Sequence, residues 1–172
     1  MSFIRNHPLA WVYLKLLVVR EKPDVLPASW FLLGLMLAIN LLLDIGSFLV
    51  KFDAMGTLLR TAADLLISTL FIYLLLLSVN KTARFLQTAS AMFGVSALLN
   101  LCALPILILL PPDQQAKGIL GVILYALFFW HIAVIGHIFR HALSVTITLG
   151  LLVAFSYVVL VMTVFYSLFP VQ

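Results

Sequence analysis

Five long apolar runs constrain this chain more than any other feature: residues 29–50, 61–79, 88–110, 118–139 and 143–169 carry almost no charge. At ~1.5 Å of rise per residue, about twenty helical residues cross about 30 Å of hydrocarbon, so each run is long enough to span a bilayer. Membrane-spanning strands would instead alternate polar and apolar positions over about ten residues, and these runs are continuous. With 65% apolar and 9% charged residues the chain cannot clothe a water-soluble exterior. Disorder, a disulfide scaffold and nucleic-acid binding are excluded as well, because Cys102 is the single cysteine and the ten Lys and Arg residues form no stripe. The expected fold is therefore an all-α integral membrane protein: a bundle of five transmembrane helices preceded by a short interfacial amphipathic helix. Residues 1–28 form the N-terminal cytoplasmic or interfacial segment and 29–172 the five-span domain.

The breaks between runs have turn chemistry. Lys51, Asp53 and Gly56 separate the first two, Asn80, Lys81 and Arg84 the next two, and Pro111, Pro112 and Asp113 end the third, since consecutive prolines cannot continue a helix. Arg140 and His141 are expected to form the last connection, making a helical hairpin of the fourth and fifth spans. Placing the N-terminus inside puts Arg5, Lys15, Arg20, Lys22, Lys81, Arg84 and Arg140 on the inner side against Lys51, Arg60 and Lys117 outside. Positive residues stay cytoplasmic, so the expected topology has a cytoplasmic N-terminus and an external C-terminus.

Residues 9–19 resemble a signal-peptide core, but Lys15 interrupts them and no small-residue cleavage site follows before Glu21 and Lys22. Pro8 suits a first helical turn and Pro23 a stop. Residues 8–20 therefore read as a helix lying in the inner interface, with Trp11 and Tyr13 at headgroup depth and basic residues facing anionic lipid.

Ionisable groups within hydrocarbon are the natural place to look for function. Asn40, Asp44 and Ser47 share one face of the first span, which must point into the bundle. Asn40, Asp44 and Asn100 form the candidate intramembrane polar cluster, readable as an interhelical clamp or as a proton or cation site. Asp64, four residues after Arg60, reads as half of a helix-end ion pair, with a site shared with Asp44 as the alternative. His137, Arg140 and His141 form a candidate headgroup-binding cluster at the inner end of the fourth span. The spacing of the two histidines also suits a metal ion, but no carboxylate or cysteine completes a set, so no metal site is assigned.

The third span is rich in small residues, with Ser90 and Gly94 a small-xxx-small pair, as are Gly34 with Ala38 and Gly150 with Ala154. Small residues let helices approach, so this span is expected at the centre, with Pro105 kinking its outer part. Cys102 reads as an inert packing residue. No CxxC pair, nucleophile elbow, P-loop or dinucleotide fingerprint is present, so no catalytic residue and no cofactor are assigned.

Residues 84–90 (Arg-Phe-Leu-Gln-Thr-Ala-Ser) running into Gly94 and Pro105, and Phe129-Trp130-His131 through Gly136-His137 to Arg140-His141-Ala142-Leu143, resemble small bacterial membrane proteins with the Yip (Ypt-interacting protein) domain. The likeness covers about residues 25–170. It implies a five-span bundle with its N-terminus inside, and the expected location is the bacterial inner membrane. Eukaryotic members act in vesicle trafficking through an N-terminal cytosolic region that contacts small GTPases. Only about 28 residues precede the first span here, so that activity is not expected. The expected function is a non-enzymatic membrane protein that scaffolds a partner or organises lipid. The alternative is a small transporter or channel subunit using the intramembrane polar residues. A lipid-modifying enzyme using His131, His137 and His141 ranks third. Membrane lipids and a membrane-protein partner or second copy are the expected partners, and nucleic acid is not.

Overall fold

The computed structural model describes residues 9–49, 53–109 and 118–169. Pro8, the charges Arg5, Lys51 and Lys117, and the Pro111–Asp113 connection lie outside the described residues. Helix α1 covers Leu9–Leu17, and a single 3₁₀ turn at Pro23–Val25 leads to α2 (Trp30–Leu49). Then follow α3 (Ala54–Ser78), a 3₁₀ turn at Thr82–Arg84, α4 (Phe85–Leu109), α5 (Gly118–Leu143) and α6 (Ile147–Leu168). Among the described residues all regular structure is helical, and α2 to α6 are long and apolar enough to cross a membrane.

Three helices start on side-chain caps. Ser29 Oγ accepts from Leu32 N, Asp53 from Gly56 N and Thr146 Oγ1 from Leu149 N, each taking one of the amides a first turn leaves unpaired. Three helices end in a shared way. Val19, Asn80 and Ser144 adopt φ of 61, 55 and 57°, and the following amides of Arg20, Lys81 and Val145 reach back to the carbonyls of Lys15, Leu76 and Arg140. These are Schellman closures of α1, α3 and α5.

The caps move two boundaries from the expected places. Helix α3 begins at the Asp53 cap, not at Thr61, so Asp64 lies about 15 Å into the helix and not one turn from its end. Helix α5 runs through Arg140 and His141 to Leu143, and the connection is Ser144–Thr146. Cations in a last turn suit the negative end of the helix dipole, which lets the helix continue where a charge count breaks it.

Helix α4 is the hub. It packs against α1, α2, α3 and α5, and Thr88 to Val95 are all buried. Helices α5 and α6 cross closely at two glycines: a Cβ on Gly150 would sit 2.4 Å from the Gly136 carbonyl oxygen. Gly34 meets nothing within 4 Å and Ala38 is exposed, so that small pair packs no neighbour in the described structure. Cys102 is exposed on α4, where a packed residue was expected.

Helix α1 does not lie across the helix ends, as expected of an interfacial helix. Its buried face, Val12, Tyr13 and Leu16, packs with Ala91, Val95 and Val134 on the flank of α4 and α5. Tyr13 donates to the Ser90 carbonyl at 3.3 Å, and Trp130, midway along α5, donates to the Leu17 carbonyl at 3.0 Å. Gly94, the residue against the Tyr13 ring, is about 14 Å into α4. The physical reason is packing and hydrogen bonding: the groove left by Gly94 admits the Tyr13 ring, whose hydroxyl finds the Ser90 carbonyl. Burial also pushes the Tyr13 phenol pKa up.

Candidate functional site

The sequence distributes polar residues against the usual sense: the outside is apolar and the inside carries hydroxyls, amides and carboxylates. Phe31, Leu66 and Ile119 are 79, 71 and 72% exposed, while Asn40, Asp44, Thr57, Thr61, Ser68, Thr88, Ser90 and His137 are buried. Among the described residues, polar groups gather in two cavities, one within the bundle and one at its end.

The inner cavity, about 240 Å³, takes polar groups from all five long helices. From α2 come Asn40 and Asp44, one turn apart on the buried face. Asn40 Nδ2 donates to the Phe93 carbonyl at 3.1 Å, and Asp44 Oδ1 accepts from Asn100 Nδ2 on α4 at 2.6 Å. The expected cluster of Asn40, Asp44 and Asn100 is therefore brought together, with the clamp to Asn100 formed. Asp44 is 6% exposed, and its second oxygen, Oδ2, is buried with no hydrogen-bond partner. Ser47 Oγ, on the same face, is likewise buried without one.

From α3 come Asp64 and Ser68, again one turn apart. Ser68 Oγ shares a 2.7 Å hydrogen bond with the Tyr157 hydroxyl of α6. Asp64 lines the cavity because of its depth in α3, while the guanidinium of Arg60 lies 4.4 Å from the centroid of the Phe169 ring. Ser96 Oγ on α4 sits 3.0 Å from His131 Nε2 on α5.

His131, Ser68, Ser96 and Tyr157 are members that sequence reasoning does not place here. His131 lies midway along α5, about 9 Å of rise from His137, and not with His137 and His141 at the helix end. The available signal is depth: each of the four is a polar residue well inside an apolar run.

The second cavity, about 360 Å³, opens where the α3–α4 and α5–α6 connections meet the segment before α2. Arg84 bridges those connections, donating from one guanidinium nitrogen to the carbonyls of His141 and Ala142 and to Ser144 Oγ at 2.8–2.9 Å. Lys81 Nζ donates to the Leu143 carbonyl. Gln87 Nε2 holds the carbonyls of Asp24 and Leu26 at 3.1 and 2.8 Å. Lys22, Arg84, Arg140 and His141 line this cavity with the single carboxylate of Asp24.

Of the expected headgroup cluster, Arg140 and His141 are here and His137 is not among the lining residues. His137 is 6% exposed, and its Nε2 donates to the Glu21 carbonyl at 2.8 Å, pinning the segment after α1 to α5. Its ring still meets that of His141 edge to face, 4.6 Å between centroids. The missed members, Lys22 and Arg84, come from segments too far apart in sequence for spacing to unite them with Arg140. Comparison with known proteins gives no match, whether to protein-family models, to curated proteins or to solved structures.

Proposed function

We propose that the chain is an integral protein of the bacterial inner membrane that organises anionic lipid at its cytoplasmic end and catalyses no reaction. The observation that carries this reading is the basic cavity of about 360 Å³. Lys22 and Arg140 line it with no side-chain hydrogen bond or ion pair to the described residues, while Arg84, whose bonds are structural, adds a third positive charge. A phosphodiester headgroup at the bilayer edge supplies the oxygens and charge such a cavity lacks.

The orientation belongs to the same proposal. Arg20, Lys22, Lys81, Arg84 and Arg140 fall at or near the end that holds this cavity and Arg60 toward the other, which supports a cytoplasmic N-terminus and an external C-terminus. The resemblance to Yip-domain proteins, with its implied inside N-terminus, agrees with that arrangement. A second reading, a small transporter or channel subunit, is favoured by one observation: Asp44 and Asp64 face a common cavity inside the bundle.

The lipid reading is tested by native mass spectrometry of the protein released from nanodiscs containing phosphatidylcholine and phosphatidylglycerol. The double variant Lys22→Gln/Arg140→Gln removes two charges without removing a structural bond. At about 1 kcal/mol per basic residue near an anionic surface, its retention of phosphatidylglycerol drops by about thirtyfold. Equal retention by the variant, or equal retention of the zwitterionic lipid by the wild type, would sink the proposal.

A further inference from the structure

The interior cavity holds a demand that the protein does not itself meet. Its neutral polar groups are largely paired: Asn40 with the Phe93 carbonyl, Ser68 with Tyr157, and Ser96 with His131. These bonds tie α2 to α4, α3 to α6 and α4 to α5, so the walls are held by contacts that leave the carboxylates over. Asn100 satisfies one oxygen of Asp44, and the other stays buried without a donor. Asp64 faces the same space from α3, and no Lys or Arg is among the lining residues.

Two carboxylates lining one half-open cavity between the helices favour a positive charge between them. At bilayer depth that preference is strong, because an unpaired charge in hydrocarbon is costly. The volume of about 240 Å³ is many times the ~10–15 Å³ that admits one water, which leaves room for a partly hydrated ion or a small organic cation. The rings of Phe93, Phe128 and Tyr157 are among the lining residues beside Met92, Val158, Val161 and Met162, and aromatic faces tolerate a cation and offer an anion nothing.

The donor set also argues against a multivalent metal. Among the described residues no three His, Cys, Asp or Glu side chains are grouped to hold one. Calcium wants about six to eight oxygens with several carboxylates, and this lining offers two carboxylates, Asp44 and Asp64.

We propose that the interior cavity binds one small monovalent cation, of the alkali or simple ammonium class, between the carboxylates of Asp44 and Asp64. Asp44 supplies the unpartnered oxygen, Asn100 holds that carboxylate in place, and Asp64 supplies the second charge. This site shares no lining residue with the basic cavity, so it stands whether or not the protein organises lipid.

The test uses the full chain in phosphatidylcholine nanodiscs, free of anionic lipid, with ²²Na⁺ and ¹⁴C-methylammonium as probes in scintillation proximity assays. The expected result is saturable binding of at least one probe. Displacement of each by the other, unlabelled, tells alkali ion from ammonium. Asp44→Asn preserves shape and an acceptor for Asn100, and binding weakens by about thirtyfold or more, as when one charge of a buried pair is removed. Asp64→Asn does the same from a different helix, which keeps the test valid if one variant does not fold. Lys22→Gln, at the other cavity, binds as the wild type does. No saturable binding of either probe up to physiological salt would overturn the proposal, as would binding that survives both Asn variants. Binding of ⁴⁵Ca²⁺ in place of the monovalent probes would overturn it too.

Discussion

The ring of Tyr13 occupies the space that any side chain at position 94 would need: a Cβ on Gly94 would stand 2.2 Å from Tyr13 Cε1 and 2.8 Å from Cζ. That ring is 5% exposed and tethered to the Ser90 carbonyl, so relieving the contact displaces a packed side chain or α1 with it. Gly94→Ala is therefore expected to destabilise the fold by about 1–3 kcal/mol, the usual cost of overpacking. The measurement is SDS-titrated unfolding in mixed micelles, with protease sensitivity of the α1–α2 segment as a local readout. Tyr13→Ala costs stability by itself but removes the clash, so the double variant is less destabilised than the sum of the two. Additive effects would mean that Tyr13 and Gly94 do not meet. The sequence marks Gly94 and Ser90 as a close-packing pair, but which partner fills the groove depends on a residue some eighty positions away. Tyr13 was legible as an aromatic with a polar tip, and that description fits a headgroup belt and a buried hydrogen bond equally well.

At the scale of elements, one connection closes another. The last carbonyls of α5 have no intrahelical donors, and Arg84 and Lys81, from the α3–α4 connection, supply them. Arg84→Ala leaves the Ala142 carbonyl to water, leaves the His141 carbonyl with the Ser144 amide alone, and withdraws a cation from the negative end of α5. Because the site is exposed, the cost is modest, about 1 kcal/mol, which corresponds to about fivefold faster deuterium exchange by local opening in peptides covering 142–150. Exchange at the wild-type rate would show that water replaces the guanidinium without loss. The existence and order of the five long helices were legible because apolar length decides them. Their boundaries were less so, because caps decide those. The Asp53 cap starts α3 at Ala54, seven residues before Thr61, and Ser144, in the left-handed conformation, lets α5 run to Leu143, four residues past Phe139. Those shifts have consequences at the site: they carry Asp64 from a helix end to the interior, and His131 from the inner rim to mid-helix.

For the whole molecule, polarity follows depth and not sequence position. A chain that exposes Phe31 and Ile119 while burying Asp44 suits a solvent that is itself apolar, since lipid does not penalise an exposed leucine and a bundle interior can pair its amides and carboxylates. The two cavities occupy different levels: basic at the end where Ser144 and Lys22 lie, acidic between the helices. If the basic end faces the cytoplasm, Ser144 and Met55, at opposite ends of the bundle and both exposed, must report opposite sides of the membrane. In a Cys102→Ala background, Met55→Cys is expected to react with a membrane-impermeant maleimide in intact cells. Ser144→Cys is expected to react only after lysis. The reverse pattern would invert the topology and place the basic cavity outside, away from the cytoplasmic leaflet whose anionic lipid it is proposed to hold. Equal access at both positions would mean that the five helices do not separate two compartments, because residues at opposite ends of a sealed bundle cannot share one aqueous phase.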